Sequence, residues 1–189
     1  NSAVMRRTRH GSVSVKGACP WQRDLFRPET TYAGMAVRPE ECKKYKDDLY
    51  ERVIPGLRPD VIVLAQFPYG DSDQSVPFVG ADFGPLSGDA TAHQLAIEKA
   101  TASSLAVLRA GGSEVLIIEP IPVVSWRGID PLHCIASAEG KGLEACRYVA
   151  STELSPVEEI YRAFARRDPK VRSADFDRLV CPYLPICDP

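Results

Sequence analysis

At 189 residues, 44% hydrophobic and 25% charged, the chain has the size and composition of one ordinary globular domain, able to bury a core without covalent staples. A formal net charge of -2 leaves no basic footprint for nucleic acid. The longest apolar run, VLIIEPIPVV, is broken by Glu119, Pro120 and Pro122 and falls short of the roughly 20 residues of a membrane span, while NSAVMRRTRHG lacks the apolar segment and cleavage site of a signal peptide, so export would depend on sequence upstream.

In chain order, NSAVMRRTR reads as a short first helix, and SVSVKGA (12–18), with β-branched residues and a glycine boundary, as a strand. After a loop, Pro39 suits a first helical turn and Glu40 and Glu41 complement the N-terminal dipole. Tyr45, Leu49 and Val53 share a face of this helix, which Pro55-Gly56 is expected to end. DVIVLAQF (60–67) is a continuous apolar run of strand length, expected to be a parallel strand covered on both faces at the centre of the sheet. A Gly-, Pro-, Asp- and Ser-rich loop over 68–88 is long enough to be suspected of function. Residues 91–110 read as a helix, with Leu95, Ala102, Leu105 and Leu108 on one stripe and Gly111-Gly112 as its stop. EVLIIEPIPVV (114–124) is a second buried strand, ended by prolines. The following SWRGIDPLHCIASAEGKGLEACRYVAS has no clear period and reads as an excursion closed by cysteines. Ser155-Pro156-Val157-Glu158 is a capping box that opens a helix through Arg167, and KVRSADF resembles a last short strand before CPYLPICDP.

Helix and strand alternate, which predicts one α/β domain over 1–189 built on a parallel sheet. A doubly wound fold normally begins on a central strand whose C-terminal end builds the site, and that strand is expected to be missing here. The six cysteines fall in loop positions as Cys19 and Cys42, Cys134 and Cys146, Cys181 and Cys187. An even count so placed suggests disulfides between sequence neighbours in an oxidising compartment, although six cysteines admit many pairings and some as buried free thiols is the alternative. Zinc is not expected, because C-x-x-C spacing is absent and His10, His93 and His133 are scattered.

Two short motifs point to acyl chemistry. Gly70-Asp71-Ser72 carries the signature of many serine esterases around their nucleophile, and Asp130-Pro131-Leu132-His133 has the Asp-x-x-His spacing that supplies the base and its orienting acid. Ser72, however, lies several residues beyond the strand with no helix opening after it, so Gly70 to Asp73 reads as a polar turn. Asp130 and His133 read as a solvent-facing Asp-Pro turn with an incidental histidine. Trp21 and Trp126 suit stacking on sugar rings or, beside half-cystines, packing. Arg166-Arg167 and Lys43-Lys44 read as solvated helix faces, and His93 as a surface residue.

The succession VKGACPW, PEEC ahead of a helix, RPDVIVLA, VLIIEPIPVV, DPLHCIAS and RLVCPYLPICDP resembles the extracytoplasmic SGNH-type domain fused to membrane-bound acyltransferases of the Acyltransferase 3 family, from about Val15 to Pro189. The resemblance implies a flavodoxin-like three-layer α/β/α fold with a parallel sheet and disulfide-bearing loops, SGNH hydrolase-like. It also implies tethering to a multi-span membrane module of the same polypeptide and transfer of acyl groups to hydroxyls of cell-envelope sugars or lipids, with no cofactor or metal.

By the same resemblance, the nucleophilic Ser of a Gly-Asp-Ser turn is expected before Asn1 and the Asp-x-x-His after Pro189, which makes 1–189 an incomplete domain, inactive alone. Gly17 and Gln66 stand where the family supplies oxyanion donors, Gln66 replacing an Asn. Two alternatives are a secreted, disulfide-stabilised glycan-binding module using Trp21, Trp126 and the 68–88 loop, and a self-contained esterase with a Ser72, Asp130, His133 triad.

Overall fold

The computed structural model describes residues 11–17, 19–32, 35–66, 78–82, 84, 86, 90–122, 131–137 and 142–188. A hairpin of β1 (Thr30–Tyr32) and β2 (Met35–Val37), within what reads in the sequence as a loop, leads into α1 (Pro39–Asp48). The helix does not stop at Pro55-Gly56 as the sequence predicts. A π turn (Leu49–Val53) carries it into α2 (Ile54–Leu57), which ends at Arg58 with φ 46°. In an α-turn the Pro55 ring would meet the carbonyl four residues back; the wider turn, with Ile54 N–H on Leu49 O, removes that register.

Next come β3 (Val61–Leu64), α3 (Ala90–Ala110) and β4 (Glu114–Ile118). After α4 (Pro131–Ser137), a 3-10 turn (Leu143–Cys146) and β5 (Tyr148–Val149), the chain forms α5 (Pro156–Arg167) and β6 (Val171–Ala174). It closes with α6 (Asp177–Val180) and β7 (Ile186–Cys187), the latter paired with β5. The capping box of α5 is formed in full: Ser155 Oγ accepts from Glu158 N–H at 3.3 Å and the Glu158 carboxylate from Ser155 N–H at 2.7 Å.

The main sheet runs β3-β4-β6, all parallel, as the α/β reading expects. Ile62, Leu64, Val115, Ile117 and Val171 point to one face, where they form the core with Tyr50 of the π turn, Leu105 and Leu108 of α3, and Ile160 and Tyr161 of α5. The opposite face carries Val61 and Val63, which are 53% and 56% exposed. The centre of the sheet is therefore β4, and β3 is an edge strand among the described residues, covered on one face only.

Residues 11–17 form no strand, contrary to expectation. A strand exists by pairing, and here Val13 and Val15 stay exposed while the segment leans on α1 through Ser14 Oγ to Tyr45 Oη (2.6 Å) and Lys16 to Glu41 (3.7 Å). On α3 the buried stripe is Ile97, Ala100, Thr101, Ser104, Leu105 and Leu108; Leu95 and Ala102 face solvent. Two polar residues sit in that stripe because each is bonded: Ser104 Oγ accepts Arg23 N–H and Thr101 Oγ1 accepts from Gln22 Nε2. Of the expected stripe only Leu105 and Leu108 are buried, because the face that meets the core also takes in these two bonded polar residues.

Cysteines pair as sequence neighbours: Cys19–Cys42, Cys134–Cys146 and Cys181–Cys187, with Cα–Cα distances of 5.5, 5.6 and 4.9 Å. Thiol titration of the unfolded, unreduced protein is expected to find none free; six free thiols would remove the main physical support for an oxidising compartment.

Candidate functional site

In open α/β sheets ligands bind beyond the C-terminal ends of the strands. Here three polar residues follow those ends: Gln66 after β3, Glu119 after β4 and Asp175 after β6. Each is held by a different set of partners.

Gln66 is fixed at both ends of its amide. Its Oε1 accepts the Trp21 backbone N–H at 3.4 Å, and its Nε2 donates to Tyr161 Oη at 2.9 Å. Tyr161, fully buried on α5, also accepts from Gln22 Nε2 at 3.0 Å, and its ring lies 5.9 Å from that of Trp21. Trp21 and Gln22 belong to a strap, residues 19–27, tied down along its length. Cys19 bonds Cys42, Tyr50 Oη donates to Trp21 O at 2.7 Å, and Phe26 pairs with Val79. Lys46 Nζ, buried beneath it, donates to Gln22 O and Leu25 O at 2.5 Å each and lies 3.8 Å from the Phe26 ring centroid. Burial pushes the Lys46 amine down to about 7, against the pull of Asp24 and Asp47.

At the neighbouring strand ends, the buried Glu119 carboxylate accepts from Arg162 Nε (2.9 Å) and Nη2 (2.6 Å) and from Ser173 Oγ (2.5 Å). Arg162 also reaches Asp175 at 3.0 Å. Asp177 sits next to this cluster; burial first, then Asp175, Glu158 and Glu119, pushes its carboxyl up to about 6. Among the described residues no group of three or more His, Cys, Asp or Glu is arranged to hold a metal ion, and no helix is long and apolar enough to cross a membrane.

Of the singled-out residues that the structure describes, Gln66 follows a strand end and Trp21 holds its amide. Gly17 is in an exposed turn with nothing within 4 Å of where a Cβ would be. Ser72, Asp130 and Trp126 lie outside the described residues, and His133 is exposed on α4 beside the Cys134–Cys146 bridge. Trp21 spends its ring on packing against the core rather than on solvent. His93 is not a plain surface residue: it stacks on Phe78 with centroids 5.5 Å apart, and burial lowers its pKa. Lys43, Lys44, Arg166 and Arg167 are exposed, as expected of solvated faces. Sequence reasoning missed Tyr161, Arg162 and Lys46. A trace existed for Glu119, a lone carboxylate closing the apolar run VLII.

Compared with known protein families, residues 2–189 match the SGNH domain described as fused to AT3 domains. No curated protein and no solved structure matches the chain.

Proposed function

Because the chain belongs to the SGNH domains fused to AT3 domains, we propose that it is the extracytoplasmic acyl-handling domain of a cell-envelope O-acyltransferase. The family match carries this reading. Three disulfides support the compartment, since such bridges persist where the surroundings are oxidising. The membrane module of the same polypeptide delivers an acyl donor. A serine Oγ attacks its carbonyl, passing its proton to a histidine, and the tetrahedral oxyanion collapses to a serine ester as the donor leaves with that proton. A hydroxyl of a glycan or lipid-linked sugar then attacks the ester; the histidine takes the hydroxyl proton and returns it to the serine.

In this reading the nucleophile and the Asp-x-x-His lie in polypeptide flanking residues 1–189, and Gln66 donates to the oxyanion. Among the described residues the edge of β3 has no partner strand and Val61 and Val63 are exposed, which supports further chain packing there, because parallel strands are normally covered on both faces. Hydrolysis of p-nitrophenyl acetate tests this. The 189-residue chain is expected to be inactive and the full-length polypeptide active, with activity lost when its flanking Gly-Asp-Ser serine becomes alanine. Turnover by the 189-residue chain that disappears in Ser72→Ala would instead establish the self-contained triad.

A further inference from the structure

We infer that Tyr161 is a positioning residue for the oxyanion donor, acting through Gln66; this rests on the reading of Gln66 given above. A glutamine is a poor preorganised donor. It has one more rotatable bond than asparagine, so holding it in one orientation costs more side-chain entropy. An amide meant to meet charge only as it develops must already be oriented, because reorientation during the reaction cancels the gain.

The structure supplies that orientation from two directions. The Trp21 backbone N–H fixes Oε1, which settles which end of the amide is the donor. The Tyr161 hydroxyl takes one Nε2 hydrogen of an amide that has two to give, and in the reading above the second meets the oxyanion. Tyr161 cannot drift, since it is fully buried, packs against the Trp21 ring and accepts a second bond from Gln22. Gln22 and Trp21 are consecutive residues of one strap, so a single loop aligns the amide directly through Trp21 and indirectly through Gln22 and Tyr161. The Tyr161 hydroxyl never touches substrate in this arrangement. Its whole effect on turnover passes through Gln66, and this distinguishes it from a core residue that merely stabilises the fold.

The test is steady-state hydrolysis of p-nitrophenyl acetate by the full-length polypeptide, with folding followed separately by thermal unfolding. Gln66→Ala is expected to lower kcat by ~100-fold, the scale of a lost oxyanion donor. Tyr161→Phe keeps the ring and is expected to lower kcat by ~10-fold, within the reach of a misaligned donor, with KM changed by less than about two-fold. The double variant should be no slower than Gln66→Ala alone, because a positioning group has nothing left to position. If Gln66→Ala slows turnover while Tyr161→Phe does not, or if the two losses multiply, the inference is overturned and Gln66 stands as a donor without it. If Gln66→Ala is as fast as the parent, the underlying reading of Gln66 fails, and the inference with it. Should Tyr161→Phe not fold, Gln22→Leu, which loosens the Tyr161 hydroxyl and spares Gln66, takes its place with a kcat loss of a few-fold expected and an unchanged kcat overturning the inference.

Discussion

Arg162→Met is expected to destabilise the domain by about 3–5 kcal/mol, seen as a lowered urea midpoint, because it leaves the Glu119 carboxylate buried without its cation. The asymmetry of the pair drives the size of the effect. The Glu119 side chain is 2% exposed and that of Arg162 34%, so removing the arginine strands a desolvated charge. The Ser173 hydroxyl remains on Glu119, but one uncharged donor does not replace a guanidinium that gives two hydrogen bonds and a full positive charge. Glu119→Gln should cost less, about 1–2 kcal/mol, since Arg162 keeps Asp175 and an amide oxygen still accepts. Replacing both residues by methionine should recover most of the loss, as buried ion pairs exchanged for apolar groups often do. A loss under about 1 kcal/mol in Arg162→Met would mean that Arg162 is not what keeps Glu119 as a buried carboxylate.

How far the fold and site can be read from the sequence depends on the range of the forces involved. The Ser155 capping box is a local signal and α5 opens where it predicts, whereas the strand expected over 114–124 begins at Glu114 but stops at Ile118, ahead of Glu119 and Pro120. Whether a strand is central or at an edge is decided by its neighbours. DVIVL carries the composition of a covered strand yet has an open edge among the described residues, and SVSVK, with the right residues, has nothing described to pair with. The same division holds at the strand ends. Gln66 is singled out by the family resemblance and not by any local pattern, and its partner Tyr161 lies 95 residues away and looks like any apolar-face residue of α5. Arg162 is 43 residues from Glu119, and on sequence alone it joins the basic residues of a solvated helix. Lys46 follows Lys43 and Lys44 by only a few positions. Those two are exposed and Lys46 is buried, because the strap crosses the helix there and no local pattern announces the crossing.

Lys46→Met should therefore show a pH-dependent cost, about 2–4 kcal/mol near pH 10 and distinctly less near pH 6, read from urea unfolding of both proteins at each pH. The cost has a plain origin. Methionine fills the space of the lysine stem but donates nothing, so Leu25 O loses its donor and Gln22 O is left with only the 3.4 Å bond from Leu25 N–H. The pH dependence comes from the lysine itself. Its amine titrates at about 7 in the folded protein and 10.5 when exposed. Below about pH 7 both states bind the proton, and the native protein carries the penalty of a buried ammonium. Between about 7 and 10.5 the unfolded chain binds more protons than the folded one, so native stability rises with pH; above that range the gain is complete. The Phe26 ring and the two carbonyls favour the ammonium and temper the rise without reversing it. The methionine variant has no such titration, and the gap between the two proteins should widen as pH increases. A gap that stays constant would mean that Lys46 keeps its charge throughout. Amide exchange in residues 19–27 should quicken in the variant even at pH 6, because the strap that brings Trp21 to Gln66 has lost its deepest tether.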